Sequence, residues 1–173
     1  VEEGKSFDVA KEMIGITLSA ICETAFEYTM SEEEKKTFLS ESDLATKEFM
    51  LKSTVNPLRR WFGFFLPERR RAFAAAKKLN QIGINIIESY RKLEDPLKGT
   101  MIQQVMICDA YKNDAERTAE VLLLLTAGYE TTANSLAWIL LELARNPTEL
   151  SRLRESLSGM PSEEWSRSEV LKM

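Results

Sequence analysis

Residues 113–145 read NDAERTAEVLLLLTAGYETTANSLAWILLELAR, and this stretch decides the fold. No proline interrupts it, and its apolar residues recur at helical spacing. Asn113 with Glu116 has the form of a capping pair, in which each side chain satisfies amide donors at a helix start. Asn146-Pro147 halts the pattern, because the residue before a proline is driven out of helical geometry. At about 1.5 Å per residue such a helix is roughly 50 Å long, enough to cross a whole domain. Its middle, Val121 to Leu125, is apolar all round. The fold class is therefore all-α, organised by one very long central helix.

Working outward, nearly everything else also reads at the helical period. Between Phe7 and Tyr28 two apolar series interleave, Val9, Met13, Ile16, Ala20 and Ile14, Leu18, Ile21, Ala25, which predicts a helix packed on most sides. Ser31 and Glu34 form a second capping pair, and Asn56-Pro57 stops the helix that they start. From Pro67 a further helix carries Phe73, Ala76, Leu79, Gly83, Ile86 or Ile87, and Tyr90 on one stripe, and ends before Asp95-Pro96. Helices are expected at about 7–28, 31–53, 68–94, 99–108, 113–145, 148–157 and 162–173, all within one partial domain over 1–173. No internal repeat appears. Val1 has no initiator methionine or leader before it and Met173 falls in mid-turn, so an internal segment of a longer protein is expected.

Composition removes several classes of function. Histidine is absent, which excludes an imidazole base or imidazole metal ligand supplied by these residues. Cys22 and Cys108 are too few and too far apart for a disulfide framework or a zinc ribbon, and both read as ordinary thiols. With 23 basic and 27 acidic residues the net charge is −4, which argues against a nucleic-acid partner. The exception is local: from Arg59 to Lys78 seven basic residues face one acid, with Trp61, Phe62, Phe64, Phe65 and Leu66 interleaved. Three readings are weighed for it: single-strand nucleic-acid stacking, which the overall charge disfavours, a membrane-surface contact at Trp61–Leu66, or an aromatic cluster folded inward beneath a solvated arginine helix. No apolar run is long enough to span a bilayer.

Chemistry points back to the middle of the long helix, at Ala127-Gly128-Tyr129-Glu130-Thr131-Thr132. An interior glycine costs about 1 kcal/mol relative to alanine. Adjacent β-branched residues stiffen the turn, and an acid amid apolar neighbours needs a partner or solvent. Positions 124, 127, 128 and 131 share one helix face, on which Ala127 and Gly128 remove side-chain bulk. The Thr131 hydroxyl can bond back to the carbonyl of residue 127, loosening the ladder and opening a groove for a small polar molecule. Glu130 beside it could relay protons, while Thr131 donates a hydrogen bond to the occupant. The same small residues also suit a close crossing by another helix.

Ala127-Gly128-Tyr129-Glu130-Thr131-Thr132 resembles the oxygen-activation motif of cytochrome P450 monooxygenases, Ala/Gly-Gly-x-Asp/Glu-Thr-Thr/Ser on their long central helix. Trp138 to Leu143 followed by Ala144-Arg145-Asn146-Pro147 resembles the end of that helix. The stretch from Asn56-Pro57 through Arg69-Arg70-Arg71 resembles the region between helices F and G, so the likeness runs from helix E to helix J. It implies a haem (iron-protoporphyrin IX) in the full-length parent, with Ala127 and Gly128 over its oxygen-binding face. Glu130 and Thr131 would be the acid–alcohol pair that delivers protons during oxygen activation, with Thr132 a structural partner. Leu123, and less directly Leu124, would line the substrate pocket together with Ala127. The implied reaction inserts one oxygen atom from O2 into an apolar small-molecule substrate, with electrons from a reductase or a ferredoxin. For a eukaryotic member the resemblance implies membrane association, at the endoplasmic reticulum or a plastid.

The departures are as specific. The family's haem-ligand loop, Phe-x-x-Gly-x-x-x-Cys-x-Gly, has no match among the 173 residues, nor does its Glu-x-x-Arg pair. No metal ligand is therefore assigned here, and the segment alone is expected to be inactive. The alternative from another class is a non-enzymatic α-helical ligand-binding or regulatory domain with an apolar cavity.

Overall fold

Asp8 opens the first helix by accepting a hydrogen bond from the Lys11 amide at 3.2 Å, and helix α1 runs Val9–Phe26. The computed structural model describes residues 8–52 and 66–158, and among these every regular element is helical. Helix α1 closes with Glu27 in the left-handed region, φ 50°. That conformation costs a non-glycine residue about 1–2 kcal/mol. It is offset because the Glu27 carboxylate accepts from the Leu97 amide at 2.9 Å and the Thr100 hydroxyl at 3.2 Å, tying the end of α1 to a distant loop.

The Ser31–Glu34 capping box is present in both halves, 3.2 Å and 3.0 Å, and starts α2, Glu32–Thr46. The expected single helix over 31–53 is α-helical only to Thr46. Beyond it the chain widens into a π-wound turn, Lys47–Lys52, a form that shifts side-chain register within a helix. Glu48 is taken inside there, and Phe49 meets Phe73 edge-on with ring centroids 5.3 Å apart.

Pro67 occupies the first turn of α3, Pro67–Arg91, where its missing amide costs nothing. The buried residues of its first turns are Ala72 and Ala75, whereas Phe73, expected on the core stripe, is 55% exposed. Alanines allow α3 to lie close to α2, its most extensive neighbour, while Phe73 turns outward to Phe49. The Arg69 guanidinium sits 5.4 Å from the Phe73 ring centroid, a cation–π contact on that outer corner. Of the aromatic stretch at Trp61–Leu66, residues 61–65 lie outside the described residues.

Thr100 caps α4, Met101–Ile107, and the long helix α5 runs Asp114–Arg145. Asn113 Oδ1 accepts from the Glu116 amide at 3.0 Å, but Glu116 closes back on the Lys112 backbone amide (2.7 Å) and the Asn113 side-chain amide (3.2 Å), not on the Asn113 backbone. Helix α6 comes next as Pro147–Leu157. The expected last helix, 162–173, lies outside the described residues. Two compact units are distinguished, Val1–Asn134 and Ser135–Met173.

The core lies in the first unit. Leu18, Cys22 and Phe26 of α1, Phe38 of α2, Ile86 and Ile87 of α3, Ile102 of α4, and Val121 and Leu125 of α5 are all buried in it. Each large apolar side chain so buried contributes about 1.5–3 kcal/mol. The exposed ion pairs, such as Arg91–Asp114 at 2.7 Å, are screened by solvent and add little. Burial therefore dominates. No described helix is long and apolar enough to cross a membrane.

One polar junction holds the α1–α2 turn against α3. Glu34 accepts from the Tyr28 hydroxyl at 2.7 Å, the Asn85 amide at 3.2 Å and the Ser31 amide at 3.0 Å. Burial works to raise the Glu34 carboxyl, but these bonds outweigh it and hold the group below its ordinary value. The stability it contributes is thus complete above the usual glutamate range, about 4.3, and is lost as pH falls through the lower folded value. Glu34→Gln is expected to flatten the acid limb of stability against pH, measured by urea unfolding of the full-length protein at a series of acid pH values. An unchanged acid limb would remove Glu34 as its source.

Candidate active-site wall on the long helix

Tyr129 sets the geometry of the α5 centre. Its ring is 6% exposed, lies edge-on to Phe38 of α2 at 5.7 Å, and its hydroxyl sits 3.4 Å from that of Ser42. Its carbonyl lies 3.1 Å from the Thr17 hydroxyl of α1. One residue earlier, a Cβ on Gly128 would overlap Cδ1 of Ile21, which stands one turn after Thr17. Helix α1 therefore passes close to α5 at Gly128-Tyr129.

The opposite side of α5 is open. Leu123 is 62% exposed, and Ala127, Glu130 and Thr131 are exposed with it, at spacings that place all four on one face. The single face expected for positions 124, 127, 128 and 131 is therefore divided. Leu124, Ala127, Gly128 and Thr132 line an open groove of about 500 Å³ with Thr17, Ala20, Ile21 and Thr24 of α1 and Met101 of α4. Leu124 is half-buried and also packs on the core. Ala127 alone of the expected site residues borders both the groove and the open face.

The expected back-bond is present: the Thr131 hydroxyl donates to the Ala127 carbonyl at 2.8 Å, and Thr132 repeats it onto Gly128 at 2.8 Å. The expected loosening is not. Helix α5 stays α-helical across these residues, because a carbonyl has a second lone pair and can accept a hydroxyl without releasing its amide. The space beside the motif lies between α5, α1 and α4, with the α5 ladder intact.

Neither cysteine is placed to hold iron at this face. Cys22 is fully buried in α1, and burial foremost pushes its thiol up to about 12, so it stays protonated at neutral pH. Cys108 caps the end of α4. Among the described residues no group of three His, Cys, Asp or Glu side chains converges on a metal-sized site.

Thr17, Phe38 and Ser42 carry no signature of the site in the sequence because they support the motif from other helices. The available signal was Thr17, a hydroxyl set between Ile16 and Leu18 in an otherwise apolar stretch.

The helical arrangement is that of a haem domain. It superposes on the crystal structure of the cytochrome P450DA heme domain with a TM-score of 0.71 over 98% of this chain and 38% of that one, at 21% identity. Residues 1–161 match the Cytochrome P450 family model, and the chain belongs to the cytochrome P450 family. Cytochrome P450 monooxygenase claU of Ampulloclitocybe clavipes is 35% identical over 109 residues, 54% of this chain and 20% of that protein. The mitochondrial 1,25-dihydroxyvitamin D(3) 24-hydroxylase of Mus musculus is 46% identical over 68 residues, 36% of this chain and 13% of the enzyme. Sterol 14-alpha demethylase of Aspergillus flavus is 33% identical over 93 residues, 51% and 18% respectively. The chain thus spans a fifth or less of claU, the 24-hydroxylase and the demethylase, and about two fifths of the heme-domain structure.

Proposed function

We propose that the chain supplies the oxygen-side wall of the active site in a haem-thiolate monooxygenase, as part of one larger domain. The observation that carries this reading is the open face of α5, where Leu123, Ala127, Glu130 and Thr131 are exposed together while the other side of the same turn is anchored through Tyr129. When bound, haem supplies the iron at which O2 is reduced and one oxygen atom passes to substrate. The short side chain of Ala127 leaves room for a flat group beside the helix backbone, and Gly128 lets the helix lie close to α1 behind it. Leu123 offers apolar surface to a substrate, with Leu124 a turn-edge contributor.

Thr131 holds a proton it can donate in two directions. At rest the hydroxyl gives it to the Ala127 carbonyl, and rotation about the side chain redirects it to the open face. Glu130 is exposed beside it, so a carboxyl and a hydroxyl stand together on this face as the acid–alcohol pair of the proposal, without a histidine. Electrons come from a reductase or ferredoxin, and the substrate is an apolar small molecule. The 173 residues hold no match to the family's haem-ligand loop, so the chain alone is expected to turn over nothing. Membrane association belongs to the same proposal, through the aromatic stretch at Trp61–Leu66 that follows Arg59 and Arg60.

Two measurements on the full-length protein test this. Its reduced form should give the carbon monoxide difference spectrum of a thiolate-ligated haem, and failure to take up haem defeats the reading. Thr131→Ala should then keep that spectrum yet divert reducing equivalents to hydrogen peroxide. Product formed in normal proportion to electrons consumed would show that Thr131 has no part in proton delivery.

A further inference from the structure

The Thr17 hydroxyl has one proton and three carbonyl oxygens within reach: Met13 at 2.8 Å and Ile14 at 3.2 Å in its own helix, and Tyr129 at 3.1 Å across the crossing. The first two are the ordinary back-bonds of a helical threonine. The third belongs to the peptide joining Tyr129 to Glu130, so a donor on its oxygen acts on the plane whose far end carries the Glu130 backbone. Thr17 is 6% exposed, so water does not compete freely for that proton. Ile21, one turn along α1, fills the space that Gly128 leaves open. Phe38 and Ser42 hold the Tyr129 ring from α2. Two successive residues of α5 are thus gripped from behind, and the next two, Glu130 and Thr131, stand on the open face.

We infer that Thr17 is a positioning residue for the long helix: through the Tyr129 carbonyl it sets the orientation at which Glu130 and Thr131 present their side chains. Its consequence for turnover rests on the function proposed above, whereas its consequence for the helix does not. Shape alone would be satisfied by valine, which keeps the branch of threonine and loses the hydroxyl. Only the hydrogen bond distinguishes the two.

The test uses the full-length haem-loaded protein with Thr17→Val, Thr17→Ser and Thr17→Ala. In Thr17→Val the carbon monoxide spectrum and KM should stay at wild-type values, while the fraction of electrons lost to peroxide rises several-fold; Thr17→Ser should restore coupling. Independently of turnover, hydrogen–deuterium exchange in residues 129–134 should quicken in Thr17→Val and return in Thr17→Ser. Thr17→Ala gives the same comparison should valine prevent haem loading. Wild-type exchange in both hydroxyl-free variants overturns the inference, as does a serine variant no better than valine. If exchange responds as expected but Thr131→Ala remains fully coupled, the positioning role stands and the proton-delivery reading falls.

Discussion

Tyr129→Ala is expected to lower the stability of the full-length protein by about 3–5 kcal/mol, the range for deleting a buried aromatic ring. The ring is 6% exposed and stacks edge-on against Phe38, itself fully buried, so its loss leaves a cavity where α1, α2 and α5 meet. Tyr129→Phe is expected to cost far less, about 0.5–1.5 kcal/mol, because only the long 3.4 Å contact with Ser42 is lost. Urea unfolding monitored by helical ellipticity separates the two, and equal losses would put the weight on the hydroxyl. The same side chain gives stability a pH dependence. Burial, partly countered by the Ser42 hydroxyl, raises the Tyr129 phenol above its ordinary value. The stability it contributes is therefore complete below about pH 10 and is lost as pH rises through the higher folded value. Tyr129→Phe should remove that alkaline loss.

Gly83→Ala is expected to destabilise by about 1–2 kcal/mol even though alanine is the better helix former. Its Cβ would lie 2.7 Å from Cγ2 of Thr118 and 3.1 Å from Cγ of Leu122, where α3 crosses α5. Thr118 is 1% exposed and its hydroxyl is bound to the Asp114 carbonyl at 2.7 Å, so its methyl cannot swing clear without breaking that bond. Overpacking of this kind costs about 1–3 kcal/mol, against roughly 1 kcal/mol returned by helix propensity. Two other glycines act as internal comparisons. Gly128→Ala meets the end of Ile21, which borders the open groove and has space to move into, so it should cost less than Gly83→Ala. Gly15→Ala meets nothing within 4 Å and should stabilise by about 0.5–1 kcal/mol. The order Gly15, Gly128, Gly83 in unfolding midpoints checks the two crossings, and any other order would mean that the helices lie differently.

Local signals are reliable where local forces act. The Ser31–Glu34 box, the proline stop at Pro147 and the Thr131 back-bond depend on groups within four residues of one another, and each is found in the folded chain. Signals fail where a distant helix casts the deciding contact. Phe73 belongs to the outer corner with Phe49 and Arg69 because two alanines beside it admit α2, and nothing within α3 announces that. The π-wound turn at Lys47–Lys52 is equally hidden, since propensity over 47–52 does not distinguish it from a continuing α-helix.

At the candidate site the division is sharpest. The motif from Ala127 to Thr132, taken with the length of its helix, the proline stop and the order of the helices before it, pointed to the family, whereas helical period put positions 124, 127, 128 and 131 on one face that the fold divides. Which side of that helix stays open was settled by tertiary packing: Ile21 and Thr17 cover Gly128 and the Tyr129 carbonyl, and Phe38 with Ser42 covers the Tyr129 ring. A helical period is a rotation without an origin. Only the neighbours that bury one face determine which residues of the helix stay exposed.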